Sequence, residues 1–316
     1  MLAYSIRRSL WALPTMFAVL LFIFLVMRVL PGDPAYAILG DEAPPEALEL
    51  FRQNWGLDKP LPHQFLSYFG GLMTGDLGLS MANRQPIFPQ ILRAIPYTLD
   101  LTIAGSVIGL LFGVPLGVFT ARNRNSFFDY LGRFISLAGL SMPTFYLGIL
   151  LIFFFSYKFQ WFPVIGGGDL SDPWSRIHHL VLPALSVGLS QTAYITRITR
   201  SSFLEVINAE FVQTARAKGV IERRVMYRHA LRNALVPIVS VVGIYVGILI
   251  GSSILVTIVF NRPGLGKLMV GAISTHDYTM LQSIMAMYAG IIVIVNLLTD
   301  LAYGLVDPRI RYGSNG

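Results

Sequence analysis

Few residues in this 316-residue chain have the types and spacing that chemistry needs. Cysteine is absent, which removes disulfide frameworks and thiolate metal sites. The run Pro263-Gly264-Leu265-Gly266-Lys267 invites comparison with a phosphate-binding loop. Such a loop needs an outer glycine and a hydroxyl residue after its Gly-Lys pair, and Asn261 and Leu268 stand at those positions. The chain therefore binds no ATP by that route. His178 and His179 are adjacent, so on a helix they point apart, and nothing beside them completes a zinc-type ligand set. They read as interfacial residues. Asp100 and Asp300 are the ionisable candidates within apolar segments, and both fall toward segment ends. A proton- or sodium-coupled carrier usually needs such groups near the membrane midplane. An intramembrane enzyme would show converging His, Asp or Glu inside apolar runs, and these are nearly missing.

The polar residues that do gather lie between Asn208 and Pro237, a basic island in a greasy chain. A short helix is expected over Ala209–Lys218. Asn208 suits its N-cap, Glu210 its first turn, Lys218 its last, and Gly219 a left-handed stop. Thr214, Ala215 and Ala217 keep the helix small, so that another surface can approach its backbone. A second helix from about Glu222 would align Arg224, Arg228 and Arg232 in one stripe. Composition leaves two readings open: a solvated basic face against lipid phosphates, or a docking element that receives force from a partner.

The elements that must carry this island are membrane spans. The chain is 54% hydrophobic and 13% charged, against about 25% charged in soluble domains. Spans of about 20 residues are expected over Ser9–Leu30, Tyr97–Ala121, Arg133–Tyr157, Leu180–Ile198, Leu235–Phe260 and Ile284–Leu305, six in all. The first run is too long for a signal-peptide core, although Ala35-Tyr36-Ala37 resembles a cleavage site. Segment 31–96 holds four basic and seven acidic residues, a net of −3, and belongs outside. Its prolines at 44, 45, 60 and 62 can open two helices, making it a small ordered subdomain. Between Arg197 and Arg232 stand eight basic and three acidic residues, a net of +5, which belongs inside. The formal charge of +7 then reflects a cytoplasmic Lys/Arg bias rather than nucleic-acid binding. Both termini fall inside, with Arg309 and Arg311 in the tail. The organisation is all-α: 1–30 the N-terminus and first span, 31–96 the outer subdomain, 97–305 spans two to six with the inner loop 198–234, and 306–316 the tail. Gly105, Gly109, Gly113 and Gly117, and again Gly243, Gly247 and Gly251, recur every four residues. Such ladders serve close helix packing or a smooth wall along a pathway. Ser141-Met142-Pro143 and Pro115 should bend their spans.

Several phrases add up to a resemblance. QTARAKG (Gln213–Gly219), RHALRNALVP (Arg228–Pro237), LPGDP (Leu30–Pro34), GLDKPLPHQF (Gly56–Phe65), GDLGLSM (Gly75–Met81), FNRPGLGKL (Phe260–Leu268) and HDYTMLQ (His276–Gln282) resemble the permeases of ABC importers, in the dipeptide/oligopeptide branch. The resemblance implies the type I ABC-importer permease fold and a homologous second permease. It also implies two ATPase subunits and an extracytoplasmic solute-binding protein. ATP and magnesium would sit on the ATPases, with no cofactor on this chain. Glu210, Gln213, Thr214, Ala215, Arg216, Ala217, Lys218 and Gly219 would form the coupling helix seated in an ATPase groove; Gln213 stands where the family usually has glutamate. Dipeptides, oligopeptides or a small peptide such as glutathione would be carried, with nickel chelates as the branch's other cargo. An ion-coupled carrier is the contrasting class.

Overall fold

The computed structural model describes residues 2–29, 33–169 and 171–306. The Leu30–Gly32 part of the LPGDP phrase and the tail with Arg309 and Arg311 lie outside the described residues. In chain order the helices are α1 (Leu2–Val29), α2 (Pro34–Leu39), α3 (Pro45–Asn54), α4 (Leu61–Thr74), α5 (Ile87–Arg122), α6 (Phe127–Ser141) and α7 (Thr144–Leu151). A π-helical turn at Ile152–Lys158 continues α7. Then come α8 (Pro173–Ile207), α9 (Glu210–Ala217) and α10 (Glu222–Arg224), the last prolonged by a π-helical turn at Val225–Leu231. The last helices of the described residues are α11 (Arg232–Val259), α12 (Leu265–Ser274) and α13 (Tyr278–Val306). Among the described residues the sole β pairing is a bridge between Leu79 and Pro86.

Within these helices, four stretches are long and apolar enough to cross a membrane: Ile6–Val29, Ile87–Arg122, Pro237–Val259 and Tyr278–Leu301. The expected third span is a broken one. Its two halves, Phe127–Ser141 and Thr144–Lys158, meet at 100°. Pro143 causes the break, because it cannot donate to the turn before it and pushes Met142 into an extended conformation. The expected fourth span is longer than the sequence suggested, and its polar residues exclude it from the apolar set. Helix α8 buries Ser186, Gln191, Thr192, Thr196, Thr199 and Ser202. The segment between the expected fifth and sixth spans contains α12.

The chain divides into two compact units. One contains the described residues of 2–8, 99–262 and 295–306. Its core is built on α8, where Leu182, Ala184 and Val187 pack with Leu101, Leu249, Val256 and Phe260. The α5 glycines let that packing become close. A Cβ added at Gly105 would lie 2.6 Å from Val187, at Gly109 2.8 Å from Gln191, at Gly113 2.7 Å from Ile195 and at Gly117 2.5 Å from Thr199. Four glycines one turn apart thus face four α8 residues one turn apart. Thr196 Oγ1 crosses the seam to the Gly113 carbonyl at 3.3 Å. The second ladder behaves differently. A side chain at Gly243 would run into Thr299, but among the described residues nothing lies within 4 Å of a Cβ at Gly247 or Gly251. Close packing at those two positions is therefore not made by the described residues.

Long-range ion pairs fasten the same unit. Arg176 grips Asp100 with two bonds, Nε–Oδ2 at 2.6 Å and Nη2–Oδ1 at 2.7 Å. Arg262, fully buried, reaches Asp100 at 3.5 Å and donates to the carbonyls of Gly167 and His179. Arg200 grips the fully buried Asp129 at 2.7 and 2.9 Å, and Arg133 stands 3.6 Å away. Asp300 pairs with Arg8 at 3.0 Å. Both carboxylates that the sequence offered for ion coupling are held by arginine.

The other unit contains residues 9–98 and 263–294. Asp33 caps α2 by accepting from the Ala35 N–H, and Arg52 of α3 donates to the same carboxylate at 2.6 Å. Ala35, Leu48, Phe51 and Met81 form its small core. Asp277 ties its two segments together: its carboxylate accepts from the Ser80 hydroxyl and from the Met81 and Met280 N–H groups. Phe17, Phe24, Phe65 and Phe69 join α1 to α4 edge-to-face.

Candidate functional site

The basic segment folds on itself. Helix α9 is shorter than expected by a residue at each end, and its cap is Ala209, which makes no side-chain bond. Asn208 instead ends α8, its amide donating to the Leu204 carbonyl. Glu210 remains in the first turn. Gly219 has φ +75°, the left-handed conformation expected of it. The N–H groups of Lys218, Gly219 and Val220 then close on the carbonyls of Thr214, Arg216 and Ala215.

One face of α9 is inward. Val212 and Ala215 are buried with Val225, against Val206, Ile207 and Val220. Ala215, expected to be open to a partner, is 8% exposed and part of the segment's own core. The reason is spacing: positions 212 and 215 are i and i+3, one stripe of an eight-residue helix, and that stripe is its apolar one. The opposite side is exposed: Glu210, Phe211, Gln213, Thr214, Ala217, Lys218 and Gly219. Arg216 is half-buried and turns across the loop to Glu222, with Nη2–Oε1 at 2.8 Å and Nε–Oε2 at 3.2 Å. The hydrogen bond from Arg216 holds the Glu222 carboxyl below its ordinary range, against a smaller opposing effect of burial.

Sequence reasoning missed three features of this site. Phe211 and Ile221 flank the small residues and are exposed at 45% and 77%; a large apolar side chain beside an exposed small-residue helix is the signal that could have found them. The Arg216–Glu222 strap joins residues six apart across a turn, and no helical spacing announces it. Finally, the expected stripe of Arg224, Arg228 and Arg232 is interrupted by the π-helical turn. That turn has more than four residues per round, so positions four apart no longer stack.

The description "Binding-protein-dependent transport system inner membrane component" matches residues 113–312, and its N-terminal counterpart matches residues 1–102. This chain belongs to that family. It is a multi-pass protein of the bacterial inner membrane and a permease subunit of an ABC importer, in the peptide and glutathione branch. It is 42% identical over 312 residues to the "Glutathione transport system permease protein GsiC" of Escherichia coli K12, covering 99% of this chain and 100% of that protein. The protein of the same name from Pectobacterium atrosepticum is 41% identical over 313 residues, again with 99% and 100% covered. Among solved structures, an inward-facing MetNI methionine ABC transporter aligns with 69% of this permease and 96% of the matched chain, at a TM-score of 0.56 and 19% identity. That likeness speaks for the type I fold. Among the described residues no cluster of His, Asp or Glu could hold a metal ion.

Proposed function

We propose that this permease forms half of a transmembrane pathway that carries glutathione or other short peptides into the cytoplasm. A homologous second permease supplies the other half. Two separate ATPase subunits, with ATP and magnesium, dock on Glu210–Gly219, and an extracytoplasmic solute-binding protein delivers the cargo. Six spans with both termini inside complete the topology: the four apolar helices, the bent pair α6–α7 and the polar α8. Segment 31–96 lies outside, and 198–234 lies inside. The full-length likeness to the two GsiC proteins carries this reading. The exposed, small-residue face of α9 supports the docking role, because a preformed helix on a rigid base can enter a groove without being ordered first. Closure of the ATPases on ATP would draw the two coupling helices together and reverse the side from which the pathway is open.

The test is uptake of labelled glutathione and dipeptides by proteoliposomes that hold the complete assembly. Uptake should need ATP inside and the cognate solute-binding protein outside. Accumulation that follows a proton or sodium gradient without ATP would overturn the reading in favour of an ion-coupled carrier.

A further inference from the structure

The unit formed by residues 9–98 and 263–294 contains a cavity of about 580 Å³, within the range of roughly 300–1,000 Å³ typical of small-molecule sites. It is half-enclosed and belongs to none of the machinery described above. Arg28, half-buried near the end of α1, stands on its wall. Its Nε donates to Gln64 Oε1 at 2.8 Å, and its guanidinium lies over the Phe24 ring at 5.1 Å. Among the described residues no carboxylate pairs with it. The Gln64 amide is itself fixed, since its Nε2 donates to the carbonyls of Lys59 and Leu57 at 2.7 and 3.2 Å. A chain of oriented groups therefore holds the guanidinium in place, and among the described residues its two terminal nitrogens are uncommitted. Asp76, the acidic residue of the lining, is exposed and accepts from the Gly78 N–H, and no ion pair joins it to Arg28 among the described residues.

The rest of the wall offers hydrogen bonds and rings. Gln282 and Ser283 are buried polar residues at 6% and 3% exposure, and both line the cavity. The Tyr68 hydroxyl is buried beside them, and burial pushes it up to about 12, so it stays a neutral donor. Trp55 and Tyr278 add flat apolar faces. A partly desolvated arginine without a counter-ion is costly unless an anion completes it, and its planar fork matches a carboxylate.

We propose that this cavity is a binding site for a small carboxylate-bearing solute of short-peptide size, with Arg28 holding the carboxylate and Gln282 and Ser283 bonding its amide groups. A lipid phosphate shares the attraction to arginine, and Leu57, Leu72, Leu77 and Leu79 also line the cavity; the buried Gln282 amide and Ser283 hydroxyl favour a solute that carries hydrogen-bonding groups, and the experiment separates the two. The site goes beyond the importer reading, and its loss would leave ATP-dependent uptake as an independent measurement.

Calorimetric titration of the purified permease, in nanodiscs of neutral lipid, tests it with trialanine as the probe. The free acid should bind. Its C-terminal amide should bind at least tenfold more weakly, as should the free acid to Arg28→Gln, since a charge-assisted pair is lost in each case. Thr279→Phe leaves Arg28 and Gln64 in place and fills the cavity; it should abolish binding with unchanged melting. The proposal is overturned if the free acid fails to bind, or if acid and amide bind alike. It is equally overturned if Thr279→Phe binds as the wild type does, or if phosphatidylglycerol in the nanodisc alone displaces the probe, which would assign the cavity to a lipid headgroup.

Discussion

Adding one methyl group at Gly117 should loosen the seam between α5 and α8. The new carbon of Gly117→Ala would lie 2.5 Å from Thr199 Cβ and 2.8 Å from the Thr196 carbonyl oxygen. Thr199 is fully buried, and the carbonyl is backbone, so no rotamer change relieves both contacts. Ordinary contact begins near 3.4 Å, so the helices must part by roughly 0.6 Å at the carbonyl and more at Thr199. Overpacking of this kind costs about 1–3 kcal/mol. Separation also weakens the Thr196 Oγ1 bond to the Gly113 carbonyl, already long at 3.3 Å and worth at most about 1 kcal/mol. Alanine's better helix propensity returns about 0.5–1 kcal/mol. The net loss is about 1–2 kcal/mol, which raises the unfolded fraction roughly 5- to 30-fold. Gly247→Ala is the matched control, because among the described residues nothing stands within 4 Å of its new methyl. Thermal unfolding of the permease purified alone, followed by circular dichroism in one detergent, should show Gly117→Ala melting well below both the wild type and Gly247→Ala. Equal melting of the two variants would refute the seam as a tight contact.

Further outcomes follow from the same geometry. Ala215→Glu should destabilise the basic segment itself, because it drives a carboxylate among Val212, Val225 and Ile207 at a cost of several kcal/mol; protease nicking near Gly219 would report it. Phe211→Ala should leave that segment folded and cost roughly 1–3 kcal/mol of ATPase docking, read as lost co-purification; retention of both ATPases at wild-type level would remove Phe211 from the interface. Asp100→Asn should cost about 3–5 kcal/mol, because it removes the carboxylate charge that Arg176 grips and the buried Arg262 reaches; unchanged melting would show the charge to be dispensable. Asp300→Asn breaks the exposed pair to Arg8, worth about 0–1 kcal/mol, and should leave ATP-driven uptake intact; loss of uptake with normal assembly would revive ion coupling.

Local chemistry made much of the fold legible. Prolines 45 and 62 sit at the first turns of α3 and α4, where the missing N–H costs nothing. Gly219 ends its turn because a left-handed residue was needed there. The α5 ladder was visible because its period is that of the helix. What stayed hidden depends on distance along the chain or on partners. Asp100 meets arginines 76 and 162 positions away, and no local spacing encodes such a match. The two glycine ladders look alike in sequence, yet α8 faces one, while at Gly247 and Gly251 the other meets none of the described residues. Of the candidate docking residues, the types were legible, and the i, i+3 spacing of Val212 and Ala215 held the orientation as well. Ala217, two places on, is off that stripe and stays exposed, while the residues that cover the stripe, Val225 and Val206, come from other segments.

The hydrophobic pad beneath α9 also sets how this part of the molecule answers a mechanical load. Val206 and Ile207 belong to the end of α8, Val212 and Ala215 to α9, and Val225 to the turn that leads into α11. A close-packed pad has low compressibility, and the bond pair between Arg216 and Glu222 stops the loop from peeling open. A push on α9 therefore has no slack to take up. It arrives at the feet of α8 and α11 together, as displacement rather than as deformation. Softening the pad by Val225→Ala, with the exposed face of α9 untouched, would separate how tightly the segment is gripped from how much of the stroke it passes on.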